Sequence, residues 1–402
     1  MLKKFRTLFT FIFGWLFIVP LAYLIPKKKD KIIFIGRDDG LFLDNVKYLY
    51  LFMTKNYQNL DISFLTENKA VFSLLSDHNR IFFPSLKAFW DLWRTNILIV
   101  DNGMWINNSK IYFLWKSKKV QLWHGIGLKR IHLDDPDWIK FYQKLRYRIY
   151  FKFIGLPTRY QLFLSTNSFF YEYFFKKAFL IDDKIFANYP RNEVIINDDF
   201  SKNYDVFLNS DLEFKQKIES AKDIKTRILY MPTFRDSGVD VLSEKILDLN
   251  KLNQFAQKNK ILFILKFHPD PRFKKYSDQF ENILWFDSSK DIYPLIGVFD
   301  LLISDYSSFY FDFLLTEKPI IFFAYDLEKY QKQDRPFVFK YEEMTPGPIV
   351  KTQIELQKEI LNMQNQDVWK EERTKLRKKS FNENLNGNKY IAEEIIKRWL
   401  NV

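Results

Sequence analysis

The chain has 402 residues, of which 47% are hydrophobic, and its 62 Lys and Arg against 49 Asp and Glu give a formal net charge of +13. This length predicts two domains, and the apolar content excludes intrinsic disorder. The absence of cysteine excludes disulfides, a zinc–thiolate site and a cysteine nucleophile.

An apolar stretch at residues 7–26 lies between two basic flanks. It is about as long as a bilayer-spanning helix needs to be. A secretory signal is disfavoured because the residues that follow the apolar stretch, KKKD (27–30), form a poor cleavage site. A spanning helix and a core helix stay open, but the two basic flanks and Pro20 favour a kinked helix in the cytoplasmic leaflet. We expect residues 1–29 to anchor the chain to an anionic membrane surface.

A second basic segment, residues 138–154, interleaves aromatic side chains with basic ones and contains no acidic residue. This pattern suits contact with anionic lipid headgroups. A helix that packs its aromatics on the core is the alternative. Nucleic-acid binding is disfavoured because no RNP-like, zinc-finger or KH pattern occurs. The expected membrane contacts are Lys140, Lys144, Arg146 and Arg148.

Short apolar runs alternate with polar or helical segments along the rest of the chain. The runs are residues 31–36, 61–66, 80–83, 96–101, 120–125, 162–166, 227–232, 261–268, 283–286, 300–304 and 319–324. Continuously apolar runs are typical of parallel strands that are buried on both faces. Strand–helix alternation predicts an α/β fold.

A charged, weakly patterned bridge near residues 198–224 divides these runs into two groups, which predicts two parallel sheets facing each other across a cleft. We expect an acceptor-side Rossmann-like domain at 30–210 and a nucleotide-donor Rossmann-like domain at 211–385. A C-terminal helix at 386–402 is expected to pack back on the first domain.

Ligands of open parallel sheets bind beyond the carboxyl ends of the strands. Four predicted strands end there in polar residues that suit a phosphate-rich site. These residues are His124 with Gly125 and Gly127, Thr233 with Arg235, His268, and Asp305 with Ser307 and Ser308.

Each of these residues has a chemical interpretation and a structural alternative. His124 could accept a proton from an attacking hydroxyl, or hydrogen-bond to the backbone at a strand end. Gly125 and Gly127 are expected on the acceptor side, where they would let a ligand approach the backbone. His268 could donate to a phosphate oxygen, or form a turn before Pro269.

The donor-side residues have similar alternatives. Ser307 and Ser308 could open a helix whose free amides bind an anion, or serve only as a helix cap. Arg235 could contact a phosphate in a bidentate manner, or pair with Asp236. No spacing typical of metal ligands is evident, so we expect no cofactor, and a requirement for a divalent cation stays open. From these residues alone, the leaving group could depart from a sugar carbon or from phosphorus.

Six motifs together resemble the CDP-glycerol glycerophosphotransferase family of teichoic acid and capsule synthesis. They are QLWHGIGLKRI (121–131), YPRNE (189–193), YMPTFRD (230–236), LKFHP (265–269), SDYSSFYFDFLLTEKPIIFFAYDLEKY (304–330) and EEMTPGP (342–348). The resemblance covers roughly residues 30–350. It implies a GT-B-like fold and transfer of glycerol phosphate from CDP-glycerol to a hydroxyl of a lipid-linked acceptor, with release of CMP.

The resemblance also implies roles for individual residues. His124 corresponds to the catalytic base and His268 to a second essential histidine on the donor diphosphate. The implied phosphate and nucleotide contacts are Thr233, Arg235, Ser307 and Ser308, with Asp305 organising their loop and Arg335 closing over the donor. The implied location is the cytoplasmic face of the bacterial cell membrane.

Three alternatives stay open. The donor could be CDP-ribitol, or a nucleotide sugar used by a GT-B glycosyltransferase. The chain could also be a membrane-bound polymer-binding protein without activity. The acceptor and the oligomeric state do not follow from the sequence.

Overall fold

The computed structural model describes residues 11–106, 110–144, 156–233, 235, 241–267, 280–333, 336–382 and 387–400. Within these residues, the strands form two large sheets and one short two-stranded ladder, β6–β8. The strands are β1 (Lys28–Ile35), β2 (Asp61–Thr66), β3 (Arg80–Phe82), β4 (Thr95–Val100), β5 (Lys118–Gln121), β6 (Arg159–Tyr160), β7 (Leu162–Ser165), β8 (Leu180–Ile181), β9 (Lys184–Phe186), β10 (Thr226–Tyr230), β11 (Ile261–Leu265), β12 (Ile283–Trp285), β13 (Leu301–Ser304), β14 (Ile320–Phe323) and β15 (Ile349–Val350).

The strands of both large sheets are parallel to their neighbours. The first sheet has the order β3-β2-β1-β4-β5-β7-β9 and the second the order β12-β11-β10-β13-β14-β15. The strand residues from Ile261 to Leu265 are all buried, as a parallel strand covered on both faces requires. The predicted α/β architecture with parallel sheets is therefore confirmed.

Helices cover the faces of the sheets. The α-helices of at least six residues are Val19–Leu24, Asp44–Asn56, Lys69–Leu74, Leu86–Arg94, Pro136–Gln143, Asp198–Asn203, Leu212–Glu219, Leu249–Asn259, Leu327–Gln333, Gln353–Asn365, Lys370–Ser380 and Gly387–Trp399. Polar side chains cap several of them. Thr352 accepts from the amide of Glu355, and the Glu355 carboxylate accepts from the Thr352 amide, so this pair starts helix Gln353–Asn365.

The two sheets meet through a continuous apolar core and a buried ion pair. One hydrophobic cluster contains Ile32 of the first sheet together with Leu302 of the second. Beside it, Lys47 Nζ lies 2.8 Å from Asp291 Oδ2, and the Tyr48 hydroxyl donates to the same oxygen at 2.6 Å. Both charged side chains are buried, so this pair fixes one contact between the domains without exposure to water.

The C-terminal helix Gly387–Trp399 packs against helix Asp44–Asn56 of the first domain. The Asn388 amide donates to Glu193 Oε1 at 2.5 Å, and Asn388 Nδ2 donates to the Pro190 carbonyl at 2.9 Å. The chain thus returns to the first sheet after completing the second. The predicted domain boundaries remain predictions.

The N-terminal segment forms a π-helical turn, Gly14–Ile18, followed by helix Val19–Leu24. One face packs on the first domain, where Gly14 lies against the Tyr112 ring. The other face exposes apolar side chains: Ile12, Phe13, Leu16, Phe17, Leu21, Tyr23 and Leu24. In the part of the chain that the structure describes, no helix has the length and apolarity to cross a membrane. The leaflet helix remains a prediction.

Replacing Lys47 with Met should destabilise the fold because it leaves the Asp291 carboxylate buried without its cation. Breaking a buried ion pair on one side costs about 3–5 kcal/mol. We expect a loss of that size in the free energy of unfolding measured by urea denaturation.

The exposed pair Lys202–Asp199 supplies the control for this measurement. Lys202→Met should change the free energy of unfolding by about 0.5 kcal/mol or less, as surface ion pairs do. Equal effects of the two substitutions would show that the interdomain ion pair contributes no more than a surface one.

Candidate active site in the cleft between the two sheets

A cavity of about 180 Å³ lies between the two domains, at the carboxyl ends of the strands. It brings together two of the regions predicted from the sequence, the loop after β5 and the loop after β13. Its lining residues are Arg37, Leu43, Asp44, His124 and Arg191 from the first domain and Met231, Lys266, Lys290, Asp291, Ile292, Tyr293, Ser307, Ser308 and Phe309 from the second.

His124 is held in this cavity by the backbone of the neighbouring strand. Its Nδ1 lies 3.1 Å from the carbonyl oxygen of Asp101, which follows β4. Since a carbonyl can only accept, Nδ1 carries the proton in the neutral ring and Nε2 keeps a free lone pair. Burial lowers the pKa of His124 to about 4, although Asp44 opposes the shift. The ring is therefore neutral at physiological pH and able to accept a proton.

Two carboxyl groups with opposite behaviour lie close to His124. Burial alone would raise the pKa of Asp44, but the charges of Arg191 and Arg37 hold it below its ordinary value. Asp101 is fully buried, and burial together with the charge of Asp44 raises its pKa well above the ordinary range. Among the described residues, the Asp101 carboxyl oxygens have no hydrogen-bond partner. Asp44 therefore carries the negative charge that faces the imidazole.

Ser307 and Ser308 line the cavity from the second domain, at the start of a short helix. Helix Phe309–Phe313 begins directly after them, and the Ser307 hydroxyl accepts from the Phe309 amide at 3.3 Å. Ser308 makes no side-chain capping bond. The positive end of this helix therefore faces the cavity that His124 lines.

Three other predicted residues, Thr233, Arg235 and Asp305, form a buried network behind these serines. Asp305 accepts from the Thr233 amide at 2.8 Å and from Arg235 Nη1 at 2.7 Å. Arg235 also donates two hydrogen bonds to Asp326, each at 2.9 Å. Its guanidinium is thus held by carboxylates and lies outside the cavity lining, so in this structure it organises the loop. Its phosphate contact, as implied by the resemblance, remains a prediction.

The two glycines after His124 make close contacts with protein atoms. Gly125 has φ +129°, and a Cβ there would lie 2.8 Å from Arg191 Nη2 and 3.3 Å from Ser308 Oγ. A Cβ on Gly127 would lie 2.6 Å from the Phe174 ring. Any side chain at Gly125 would therefore collide across the junction of the two domains. Their expected role on the acceptor side is not tested by these contacts.

Three basic side chains, Arg37, Lys266 and Lys290, line the cavity, and we call the surface that they form the donor wall. Lys266 follows β11, and its pKa is lowered to about 8 by burial and by the nearby charge of Arg37. Two like charges held this close favour an anion between them. His268 lies outside the described residues, two positions after Lys266, so its predicted convergence with His124 stays a prediction.

The remaining predicted residues lie away from the cavity or outside the described residues. Lys140 belongs to helix Pro136–Gln143 and forms an exposed ion pair with Asp137; Lys144 is also exposed. Arg146, Arg148 and Arg335 fall outside the described residues. The loop after Gly127 pairs with the segment after Arg335: the Arg130 amide donates to the Pro336 carbonyl at 2.9 Å.

The sequence profile described as "CDP-Glycerol:Poly(glycerophosphate) glycerophosphotransferase" matches residues 17–398. The chain belongs to this family. Glycerophosphate transfer in teichoic acid synthesis, the activity predicted from the sequence, is thereby confirmed at the level of the family.

Individual relatives agree with this assignment. The chain is 29% identical over 371 residues to a teichoic acid poly(glycerol phosphate) polymerase of Bacillus spizizenii, covering 87% of each chain. It is 25% identical to a teichoic acid ribitol-phosphate primase of the same species, covering 82% of each. It spans 44% of the length of a poly(glycerol phosphate) polymerase of Bacillus subtilis.

The wall teichoic acid polymerase TagF supplies a solved structure of similar fold. A TagF variant soaked with CDPG superposes with a TM-score of 0.73 at 23% identity, over 100% of this chain and 99% of that one. This similarity confirms the GT-B-like α/β fold.

The sequence analysis did not single out several of the cavity residues. Arg37 directly follows the predicted run 31–36, and Lys266 lies near the end of the predicted run 261–268. The strand-end criterion applied to His124 could therefore have identified both residues. Arg191 lies inside the quoted YPRNE motif. Asp44 offered no signal, because its position depends on how helix Asp44–Asn56 meets the YPRNE loop.

We predict that His124 titrates near pH 4 and has its neutral proton on Nδ1. Nitrogen-detected NMR of protein labelled at its four histidines measures both properties, and His124→Asn assigns the resonance. Because the unfolded ring titrates near pH 6.5, the unfolded state binds more protons between about pH 4 and 6.5, so stability should fall as the pH falls through this window.

His124→Asn should remove that part of the pH dependence of stability. A His124 ring that titrates near pH 6.5, or that is protonated on Nε2 when neutral, would contradict the hydrogen bond to the Asp101 carbonyl.

Proposed function

We propose that this chain transfers glycerol phosphate from CDP-glycerol to a hydroxyl of a lipid-linked glycan or polymer acceptor and releases CMP. The observation that carries the proposal is the cavity that His124 of the first domain lines together with the helix start at Ser307 and Ser308 of the second. A proton acceptor from one domain and an anion site from the other, in one cavity, suit attack by a hydroxyl on a phosphate.

The reaction begins with the acceptor hydroxyl near His124. Its oxygen attacks the β-phosphorus of CDP-glycerol in line with the bond to the bridging oxygen. The new oxygen–phosphorus bond forms, the bridging bond breaks, and CMP leaves with the bonding electrons. The hydroxyl proton passes to Nε2 of His124, and the Asp44 carboxylate stabilises the imidazolium that results.

The diphosphate is assigned to the basic wall of the cavity. Lys266, Arg37 and Lys290 line this wall, and the amides at Ser307 and Ser308 add the positive end of a helix. Because charge shifts onto the departing CMP, donors positioned here lower the barrier by electrostatic stabilisation. By the family resemblance, we add His268 and Arg335 to this set. No metal ion or cofactor is assigned a step.

The donor alcohol is the finer point of the proposal. The relatives include both a glycerol-phosphate polymerase and a ribitol-phosphate primase, so CDP-ribitol is the second candidate. CDP-glycerol is the first candidate because the description of the matched family names it as the donor. A nucleotide sugar is the third candidate.

We also propose that the chain acts on the cytoplasmic face of the membrane, held there by its N-terminal helix. The exposed face of this helix carries Leu16 and Leu24, whose exposed fractions are 63% and 77%. Helix Leu86–Arg94 contacts it and adds Leu86 and Trp90, which are also exposed. An apolar surface of this kind flanked by lysines suits the interface of an anionic leaflet.

The test of the reaction is a donor panel with a short lipid-linked acceptor. We expect CMP release and a product heavier by one or more glycerol phosphate units with CDP-glycerol. CDP-ribitol and UDP- and GDP-sugars should react at least about tenfold more slowly, the scale at which a single lost contact discriminates. A product heavier by ribitol phosphate would show that CDP-ribitol is the donor. Release of UDP or GDP with a product heavier by one sugar would show that the reaction is glycosyl transfer.

His124→Asn should lower the rate of transfer at least about 100-fold while CDP-glycerol still binds, because it removes the general base and little of the donor wall. His78 lies in a separate cavity beside helix Asp44–Asn56, so His78→Asn is the matched control and should keep the wild-type rate. Full activity of His124→Asn would exclude His124 as the base.

The membrane proposal is tested by replacing exposed side chains, which leaves the buried face of the helix intact. A Leu16→Ser, Phe17→Ser, Leu24→Ser variant should bind vesicles containing anionic phosphatidylglycerol at least about tenfold more weakly, since apolar burial drives such binding. Added salt should weaken the residual binding.

Ile354 and Val368 provide the control, since they are equally exposed on the second domain. Ile354→Ser with Val368→Ser should leave co-sedimentation with vesicles unchanged. If the N-terminal triple variant bound vesicles as strongly as wild type, this helix would not form the membrane contact.

A further inference from the structure

Arg191 occupies the junction between the two domains and is buried there, with 2% of its surface exposed. It belongs to the short helical turn Pro190–Asn192 that follows β9. One terminal nitrogen, Nη1, donates to Asp44. The other, Nη2, donates to Asp312 Oδ2 at 2.6 Å and to the carbonyl oxygen of His124 at 3.1 Å. The guanidinium therefore contacts the backbone of the base itself.

The carboxylate of Asp312 completes this junction from the second domain. It lies four residues after Ser308, within helix Phe309–Phe313. Besides Arg191, it accepts from Asn192 Nδ2 at 2.6 Å and from the Tyr293 hydroxyl at 2.8 Å. The helix that presents its start to the cavity is therefore tied to the first domain by its own side chain.

Gly125 lies in the same junction, on the side of the cavity, and the surrounding atoms leave no room for a side chain there. A Cβ at this position would meet both Arg191 Nη2 and Ser308 Oγ. The residue after the base, the guanidinium and the serine at the helix start are thus packed without space between them. A change in the position of the guanidinium would therefore alter the position of the two walls relative to each other.

We propose that Arg191 is a positioning residue for phosphate transfer, whose guanidinium sets the distance between the His124 imidazole and the anion-binding wall at Ser307 and Ser308. The planar fork of arginine can hold two carboxylates and a carbonyl at fixed angles, which a lysine ammonium cannot do. The inference rests on the proposed function, because the proposed function makes His124 the base and the wall at Ser307 and Ser308 the anion site.

A second consequence concerns charge. Groups that carry or can carry charge near His124 are Asp44, Asp101, Arg37 and Arg191. By pairing with Asp44, Arg191 keeps that carboxylate ionised beside the imidazole. Arg191 therefore acts on the base through Asp44 as well as through the backbone.

A merely stabilising role is the alternative, and the chain contains a matched control for it. Arg373 is equally buried and pairs with the Asp367 carboxylate through both terminal nitrogens, in helix Lys370–Ser380 of the second domain. It lies outside the cavity lining. Arg373→Lys therefore perturbs a buried arginine and its partly exposed carboxylate partner without touching the site.

The experiment compares Arg191→Lys, Asp312→Asn and Arg373→Lys in the full chain, each measured at a temperature at which it is fully folded. For the first two variants we expect kcat for CMP release to fall at least about 100-fold, the effect of displacing a catalytic group by about 1 Å. The KM for CDP-glycerol should stay within about threefold of wild type, since neither substitution replaces a residue of the donor wall.

Arg373→Lys should lose stability but keep the wild-type kcat. Wild-type kcat in both Arg191→Lys and Asp312→Asn would overturn the proposal. So would a loss of kcat in Arg373→Lys as large as theirs, because it would mark a general effect of destabilisation.

Histidine NMR separates this proposal from the proposed function. In Arg191→Lys and Asp312→Asn, we expect the His124 ring nitrogens to shift and the neutral ring no longer to be purely Nδ1-protonated, with the other three histidines unchanged. If the wild type releases no CMP from any donor, the proposed function fails, but these spectra still test the positioning. Unchanged His124 resonances in both variants would overturn the positioning role whatever the activity.

Discussion

Two carboxylates of the second domain, Asp291 and Asp312, are buried against basic side chains of the first, and the geometry of the cleft depends on them. Asp291 pairs with Lys47 and Asp312 with Arg191, in both cases with almost no exposure to water. Removing charges from water is costly, and the attraction is recovered only when partners and hydrogen bonds are well placed. A small relative displacement of the domains would therefore be opposed strongly.

This constraint explains why residues far apart in the chain form one cavity. The loop after β5 supplies a neutral imidazole, and the loop after β13 supplies a helix start. Neither group is specific for a reaction by itself, because capped strand ends and capped helices are common. Their placement in one cavity together with Lys266 and Arg37 makes the cleft suitable for a diphosphate and a hydroxyl at once.

The sequence predicted the fold better than the contacts within the site. Each predicted apolar run overlaps a strand, because parallel strands buried on both faces leave a continuous apolar pattern, although β5 shares only two residues with its run. The short strands β6, β8, β9 and β15 were not predicted, since none of them contains more than two consecutive apolar residues. The polar residues at strand ends were found by topology alone, and His124, Ser307 and Ser308 do line the cavity.

What the sequence could not provide was the pairing of charges. Arg235 was assigned to phosphate, yet its donors are directed to Asp305 and Asp326, which no spacing in the sequence links to it. Arg191 and Asp312 are 121 positions apart, and only the packing of two separately folded sheets joins them. Buried ion pairs of this kind depend on tertiary structure, so local patterns carry no signal for them.

The low basicity of His124 follows from the same burial, and it bears on how the proposed reaction is driven. A ring with a pKa of about 4 is a weak acceptor for the proton of an alcohol. Burial favours the neutral ring, but a bound diphosphate would bring negative charge into the cavity that the ring lines, and negative charge favours the imidazolium. The donor would then strengthen the base that activates the acceptor, together with Asp44. Because the junction at Arg191 fixes the two walls relative to each other, this coupling would operate through a fixed distance, and the base would be strongest when the donor is bound.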